Sequence, residues 1–425
     1  MSPSSPQAPR GTRDFYPDDY RKQEWLFSHF RTVAHAFAFE EVDAPVLEHA
    51  ELYTRKAGED IIDQLYHFEL HERHLALRPE MTPQIARMVM ARAGGLPFPL
   101  RWFTVTQNWR YERMTRGRTR EHYQWNMDIW GEPGVSAEAE LISAIFTLVG
   151  QLELPKNAVE VRVNSRRLLE DALRSGVLSK KPEAFEPLCI IIDKIAKIGN
   201  DVVIDQLIDT KGLVGLSKGE AQDVVAMLEV RSLAEAERLG GSTGALDELK
   251  RLFDWLDHYG VGDQVHFDAS IVRGLAYYTG IVFEGVDTRG ELRSICGGGR
   301  YDGLSETLGG KAIPAAGFGF GDVVIMELLG DYGLLPELPR DIDDVVYAQE
   351  EAQRPHAIAI ATRLRASGRR VELLLGTPSQ KRALKDADRA GARRIWTIGP
   401  KEATRGVAMV RDLSNGEESE EPLPR

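Results

Sequence analysis

The chain has 425 residues, 43% of them hydrophobic and 28% charged, with a formal net charge of −12. No apolar run approaches the ~20 residues a membrane span requires, and the length leaves room for about three domains at ~150 residues each. So acidic a total excludes indiscriminate nucleic-acid binding, because a uniformly negative surface repels phosphates.

The opening MSPSSPQAPRG is polar, Pro- and Ser-rich and lacks the apolar core of a secretory signal, so it reads as a loose tail. Cys189 and Cys296 are too far apart to match any metal-ligand spacing and read as small buried hydrophobes. Together these features suggest a cytoplasmic protein.

Further along, YHFELHERHLALR alternates about a polar HER and predicts a hairpin, with metal binding by His67, His71 and His74 the minor reading. Next, LRPEMTPQIAR offers Thr82 as an N-cap and Pro83 at the first helical position. Glu80 and Thr82 could receive an α-ammonium group, but this stretch alone favours capping.

The segment RYERMTRGRTRE carries Arg110, Arg113, Arg116, Arg118 and Arg120 within eleven positions of an acidic chain. On either side of it the sequence alternates with the strand period of two. Phe103, Val105, Trp125, Met127 and Ile129 fall on an apolar face, whereas Arg110, Arg120, Gln124 and Asp128 share the other. The prediction is strand, loop and strand, with Gly117 at the loop tip and guanidinium groups suited to bidentate phosphate binding.

Residues 166 to about 258 show helical periodicity, as in FEPLCIIIDKIAKIG and EAQDVVAMLEVRSLAEAERLG, and read as a helical insertion. The flanking regions, 44–164 and 265–325, are rich in strand patterns that predict a single antiparallel sheet interrupted by those helices. VRGLAYYTGIVFEG starts a strand on which Tyr277 and Tyr278 would point to opposite faces. CGGGRYDGL and AAGFGFGD read as glycine-rich turns that let backbone approach a flat or phosphorylated ligand. Neither has the dinucleotide-binding or P-loop spacing.

GLLPELPRDIDD is a linker. Beyond it, strands and helices alternate as a small α/β domain of roughly 80 residues with a largely parallel sheet. Between Arg354 and Arg411, 14 Lys and Arg face 4 Asp and Glu, a local balance of +10 that suits an RNA-contacting surface.

In this order the motifs resemble the histidyl-tRNA synthetases, a class II aminoacyl-tRNA synthetase family, from PRGTRDFYPDD to GVAMVRDLSNGEE. RYERMTRGRTREHYQWNMDIWG is similar to motif 2, and RGLAYYTG and GGGRYDGL to the two histidine-specific signatures. The resemblance implies an α+β fold: a class II antiparallel sheet with flanking helices, a helical insertion and a C-terminal α/β anticodon-binding domain. The corresponding divisions are 1–165 and 259–332 (catalytic), 166–258 (insertion), 333–342 (linker) and 343–425 (anticodon-binding). It also implies a homodimer that joins histidine to tRNA(His) through histidyl-adenylate, using ATP with Mg²⁺ and no resident metal.

By the same resemblance Arg110 and Arg273 are the catalytic pair on the α-phosphate, and Glu112, Arg118 and Arg120 join them around ATP. Glu80, Thr82 and Gln124 take the amino-acid end of histidine, while Asp128, Tyr277 and Tyr278 read its imidazole. The chain departs from the family pattern at Asp128, where Glu is common, at Ala276, where Asp is common, and at Val323 and Val324, where motif 3 has Glu and Arg. Arg118 or Arg120 would then have to take the pyrophosphate end. The competing readings are a non-catalytic paralogue resembling the regulatory subunit of ATP phosphoribosyltransferase and a non-enzymatic RNA-binding module.

Overall fold

The computed structural model describes residues 6–54, 59–210, 212–238, 243–273 and 277–424. It divides into two compact units, Met1–Leu335 and Pro336–Arg425.

In the first unit the period-two pattern around the arginine stretch becomes two ten-residue strands, β5 (Leu100–Trp109) and β6 (Glu121–Trp130), paired antiparallel with Val105 opposite Trp125. They belong to an eight-stranded sheet of order β1-β5-β6-β11-β10-β9-β7-β8. The other members are β1 (Glu40–Glu41), β7 (Val159–Ser165), β8 (Val265–Phe267), β9 (Ile281–Asp287), β10 (Cys296–Arg300) and β11 (Ala315–Gly321). The expected antiparallel sheet holds for the six central strands, whereas edge strands β1 and β8 pair parallel to β5 and β7. The chain between β7 and β8 is helical, running from Arg166–Ser175 to Thr243–His258, with a buried apolar cluster of its own around Leu173, Leu188 and Val224.

One face of the large sheet is a dry core. Phe103, Trp125, Met127 and Ile129 bury against Leu26, Phe30 and Val33 of the helix Pro17–Ala36 and Leu141 and Ile145 of the helix Ser136–Gln151. Phe30 stacks on Trp125 with ring centroids 5.2 Å apart and planes 8° apart. The opposite face carries the polar side chains and, over part of its area, the helix Thr82–Arg92 with Ile85 and Val89 buried.

Two readings of glycine-rich sequence are corrected. CGGGR and AAGFGFG are not turns but the central strands β10 and β11. Glycine weakens strands for want of a side chain to pack, yet here neighbouring residues occupy the space. A Cβ on Gly297 would lie 2.3 Å from the Arg273 guanidinium carbon, on Gly317 2.5 Å from Asp128 Oδ1, and on Gly319 2.2 Å from Gln124 Nε2. The two strands form a bare floor under side chains from adjacent segments.

A smaller sheet, β2 (Leu47–His49), β4 (Arg73–Leu77) and β3 (His67–Leu70), contains the expected hairpin, with His67 Nδ1 and His74 Nε2 3.0 Å apart on an exposed surface.

The second unit is a five-stranded sheet of order β13 (Val371–Leu373), β12 (Asp344–Ala348), β14 (Arg394–Ile398), β15 (Val407–Asp412) and β16 (Glu418–Pro422). Only its first half is parallel; β15 and β16 run antiparallel, which corrects the largely parallel expectation. The helix Arg354–Ala366 buries Ile360 and Leu364 on one side, and Gln380–Arg389 buries Ala383 and Ala387 on the other. The latter helix leaves Lys381, Arg382, Lys385 and Arg389 exposed. No helix among the described residues of either unit is long and apolar enough to cross a membrane.

Candidate functional site

The polar face of β6 sets the site. Asp128 is 1% exposed and accepts the Tyr301 phenol proton on Oδ1, while its Oδ2 has no partner among the described residues. Burial, opposed by the Tyr301 bond and reinforced by nearby Glu80, pushes the Asp128 pKa up to about 7. Tyr301 follows β10 directly and is fully buried. Only its membership of GGGRYDGL signals it in the sequence.

Tyr277 and Tyr278 precede β9 rather than starting a strand, so the opposite-faces reading fails. Their rings lie 5.0 Å apart and both approach Tyr301, at 5.8 and 6.3 Å. Tyr277 donates to Glu80 Oε2 at 2.9 Å. Burial holds both phenols above their usual range, with Glu80 the next influence on Tyr277 and Arg273 opposing the rise at Tyr278.

The capping role preferred for Thr82 is not found. Met81 occupies the N-cap, Thr82 lies inside the first turn, and no side chain caps the helix, which leaves the largely buried Thr82 hydroxyl outside that duty. Gln124 lies over Gly319 and accepts from Asn108 Nδ2 at 3.3 Å.

Arg273 has a left-handed φ of 59°, a conformation costing a non-glycine residue roughly 1 kcal/mol. Its guanidinium spreads over Gly297 and pairs with Glu284 of β9 at 2.9 Å, while its buried Nε has no hydrogen-bond partner among the described residues. Burial opposes its charge, but Glu284 and the other nearby groups outweigh that penalty and hold its pKa above the ordinary value. Arg110 donates from Nε to the Pro79 carbonyl at 2.9 Å, beside Glu80. Arg118 is ion-paired with Glu112 at 2.7 Å.

Two cations of the stretch are engaged elsewhere. Arg116 binds Glu327 at 2.9 Å and Asp331 at 2.5 Å on the helix Asp322–Asp331. Arg120 stacks 3.8 Å over the Tyr111 ring and donates to the carbonyls of Glu112 and Arg10. A residue not singled out from sequence, Arg13, crosses from the N-terminal segment to bind Glu121 at 2.7 Å and Asp322 at 2.9 Å.

Val324 is 4% exposed and part of the core, so it presents only methyl groups to the tip of the arginine loop. Ala276 lies outside the described residues. Among the described residues no group of three or more His, Cys, Asp or Glu could hold a metal ion.

The site therefore joins an acidic and phenolic end at Glu80, Asp128, Tyr277, Tyr278 and Tyr301 to a guanidinium end at Arg110, Arg118 and Arg273. All of it rests on one face of an antiparallel sheet, the architecture of a class II aminoacyl-tRNA synthetase. Residues 11–321 match the family model for histidyl-tRNA synthetase and residues 344–423 match an anticodon-binding domain. The chain is 48% identical over 412 residues to the chloroplastic/mitochondrial histidine--tRNA ligase of Arabidopsis thaliana, covering 96% of this chain and 84% of that protein. It is 37% identical to the histidine--tRNA ligase of Opitutus terrae, with 97% and 95% covered. The solved histidyl-tRNA synthetase of Nostoc sp. PCC 7120 shares the fold, with a TM-score of 0.75, 24% identity, and 98% and 96% of the chains covered. The chain belongs to the histidyl-tRNA synthetase family.

Proposed function

We propose that the protein is a histidine--tRNA ligase that activates histidine with ATP and transfers it to tRNA(His), releasing AMP and diphosphate. The observation that carries this reading is the joining of two chemistries over one sheet floor. A buried carboxylate with an oxygen unpartnered among the described residues lies at one end and guanidinium groups from two distant segments at the other.

The first step is in-line attack by a histidine carboxylate oxygen on the α-phosphorus, breaking its bond to the oxygen that leaves with diphosphate. Positioning and charge stabilisation suffice for it, and no protein nucleophile is consumed. Arg110 and Arg273 hold the α-phosphate from two sides, with Glu112 and Arg118 about the rest of the nucleotide. Arg120, held on the Tyr111 ring and the Glu112 carbonyl, steadies the loop that carries Arg118 to the nucleotide. Mg²⁺ bound with the nucleotide would be held by phosphate oxygens, water and one or two carboxylates, and would neutralise charge on the departing diphosphate.

Glu80, Thr82 and Gln124 receive the amino-acid end. Asp128, with its own geometry fixed by Tyr301, accepts an imidazole N–H, and Tyr277 and Tyr278 enclose the ring. A neutral imidazole has one donor and one acceptor, so a competitor lacking either leaves a buried group unpaired, a strong basis for rejection.

The anticodon-binding match favours the ligase over the non-catalytic paralogue, and the basic surface of the second unit is assigned to tRNA. We further propose a homodimer, the cytoplasm as its compartment, and catalytic, insertion and anticodon-binding parts divided at residues 165, 258, 332 and 342. Histidine-dependent exchange between ATP and labelled pyrophosphate, followed by charging of purified tRNA(His), tests the activity. Absence of exchange overturns it.

A further inference from the structure

Resting on the adenylation step proposed above, a second question is what replaces the arginine that this chain lacks at Val324. The loop between β9 and β10 brings Arg293 to that place. A Cβ built at Gly117, the tip of the arginine loop, would lie 3.2 Å from Val324 Cγ2 and 3.7 Å from Arg293 Cγ, so one small residue touches both the substituted position and this side chain. Arg293 is 38% exposed, and its Nη1 lies 3.8 Å from Glu112 Oε2, a carboxylate already held by Arg118 at 2.7 Å. At that distance and exposure the Glu112 contact contributes little.

The surroundings are cationic beyond what Glu112 and Glu284 balance. Burial, then Arg118, with Arg110 and Arg273 behind it, lower the Arg293 pKa to about 10 against the opposing pull of Glu112. The same cluster acts on His122, where burial and then Arg110 and Arg293 push the imidazole down to about 3 and keep it neutral. Four guanidinium groups from three segments, with Glu112 between Arg118 and Arg293 and Glu284 on Arg273, form a site for a polyanion.

We infer that Arg293 holds the β,γ-phosphate end of ATP, taking over from a different loop the contact that the motif 3 arginine makes elsewhere in the family. As the bond between the α-phosphorus and its bridging oxygen breaks, the departing diphosphate gains negative charge, and Arg293 is the cation placed to meet it.

The test compares Arg293→Ala and Arg293→Lys with the unaltered protein. In exchange assays Arg293→Ala should raise KM for ATP and for pyrophosphate about 10- to 100-fold, the range for a charged hydrogen bond. KM for histidine and the melting temperature should stay unchanged, and Arg293→Lys should recover part of the loss. Calorimetry separates the phosphates: ATP binding should weaken while AMP binding does not. Unchanged ATP binding, or equal weakening of ATP and AMP, overturns the inference. Were the unaltered protein to show no exchange, the ligase reading would fail, and the ATP-to-AMP comparison would still decide Arg293.

Discussion

Tyr301 donates its phenol proton to Asp128 directly above Gly317, where a Cβ would lie 2.3 Å from the tyrosine oxygen and 2.5 Å from Asp128 Oδ1. One carboxylate oxygen is thereby fixed, and the other, without a partner among the described residues, can take a donor from a bound molecule. The consequence is a pH dependence. In kcat/KM for histidine the acid limb reports free enzyme and free substrate. Asp128 ionises near 7 and imidazole near 6.5, so below pH 6.5 two protonated groups face each other. kcat/KM for histidine should fall roughly 40-fold from pH 8 to pH 6, and Asp128→Asn should leave only the roughly fourfold imidazole part of that fall, at a lower plateau.

The same shift has a stability side. Asp128 at about 7 and Asp322 at about 6 are both raised above an unfolded value of 3.8, so between pH 4 and 7 the folded state binds more protons than the unfolded state. Their contribution therefore favours folding at the acid end of that window and is lost as pH rises through it. In thermal melts Asp128→Asn should gain stability relative to the unaltered protein at pH 8 and lose that advantage at pH 5.

The glycine floor makes a steric prediction. A methyl at Gly297 would strike the Arg273 guanidinium at 2.3 Å, and one at Gly319 would strike Gln124 at 2.2 Å. Gly297→Ala should lower the exchange rate chiefly through ATP, and Gly319→Ala chiefly through histidine. Each should cost about 1–3 kcal/mol of stability, as overpacking does. Steady-state kinetics with each substrate varied in turn would show the split.

Arg273→Ala should fold and lose exchange by at least about 100-fold, the scale for removing a preorganised charge-stabilising donor. Circular dichroism alongside the exchange assay checks both halves; undiminished exchange would remove Arg273 from the mechanism.

In the second unit, Lys381→Glu with Lys385→Glu reverses two exposed charges on the helix Gln380–Arg389. KM for tRNA should rise several-fold and depend less steeply on salt, since each lost phosphate contact releases fewer counterions, while pyrophosphate exchange is unaltered. Charging assays across a salt series provide the measurement.

How much of this was legible in the sequence depended on distance along the chain. β5, the arginine loop and β6 are a local hairpin whose alternation and turn glycine were readable directly, and so were the partners Gln124 and Asp128 on one face. Gly297, Gly317 and Gly319 were misread as turn residues because glycine disfavours strands in isolation, and the side chains that fill their space come from other segments. Tyr277 and Tyr278 were given opposite faces by extending the strand period four residues too early, before β9 starts at Ile281. Tyr301 is signalled only by its place in GGGRYDGL, and nothing in the local pattern marks Arg13 or Arg293. Their partners Asp128, Asp322 and Glu112 lie between 173 and 309 residues away, reached only once the sheet is assembled.

The most direct test of the central claim is a crystal structure with a non-hydrolysable sulfamoyl analogue of histidyl-adenylate, whose sulfamoyl group stands in for the α-phosphate. The account predicts Arg110 and Arg273 both in contact with that one group and the imidazole N–H on Asp128 Oδ2. Two arginines facing separate cavities, or an imidazole bound away from Asp128, would contradict it.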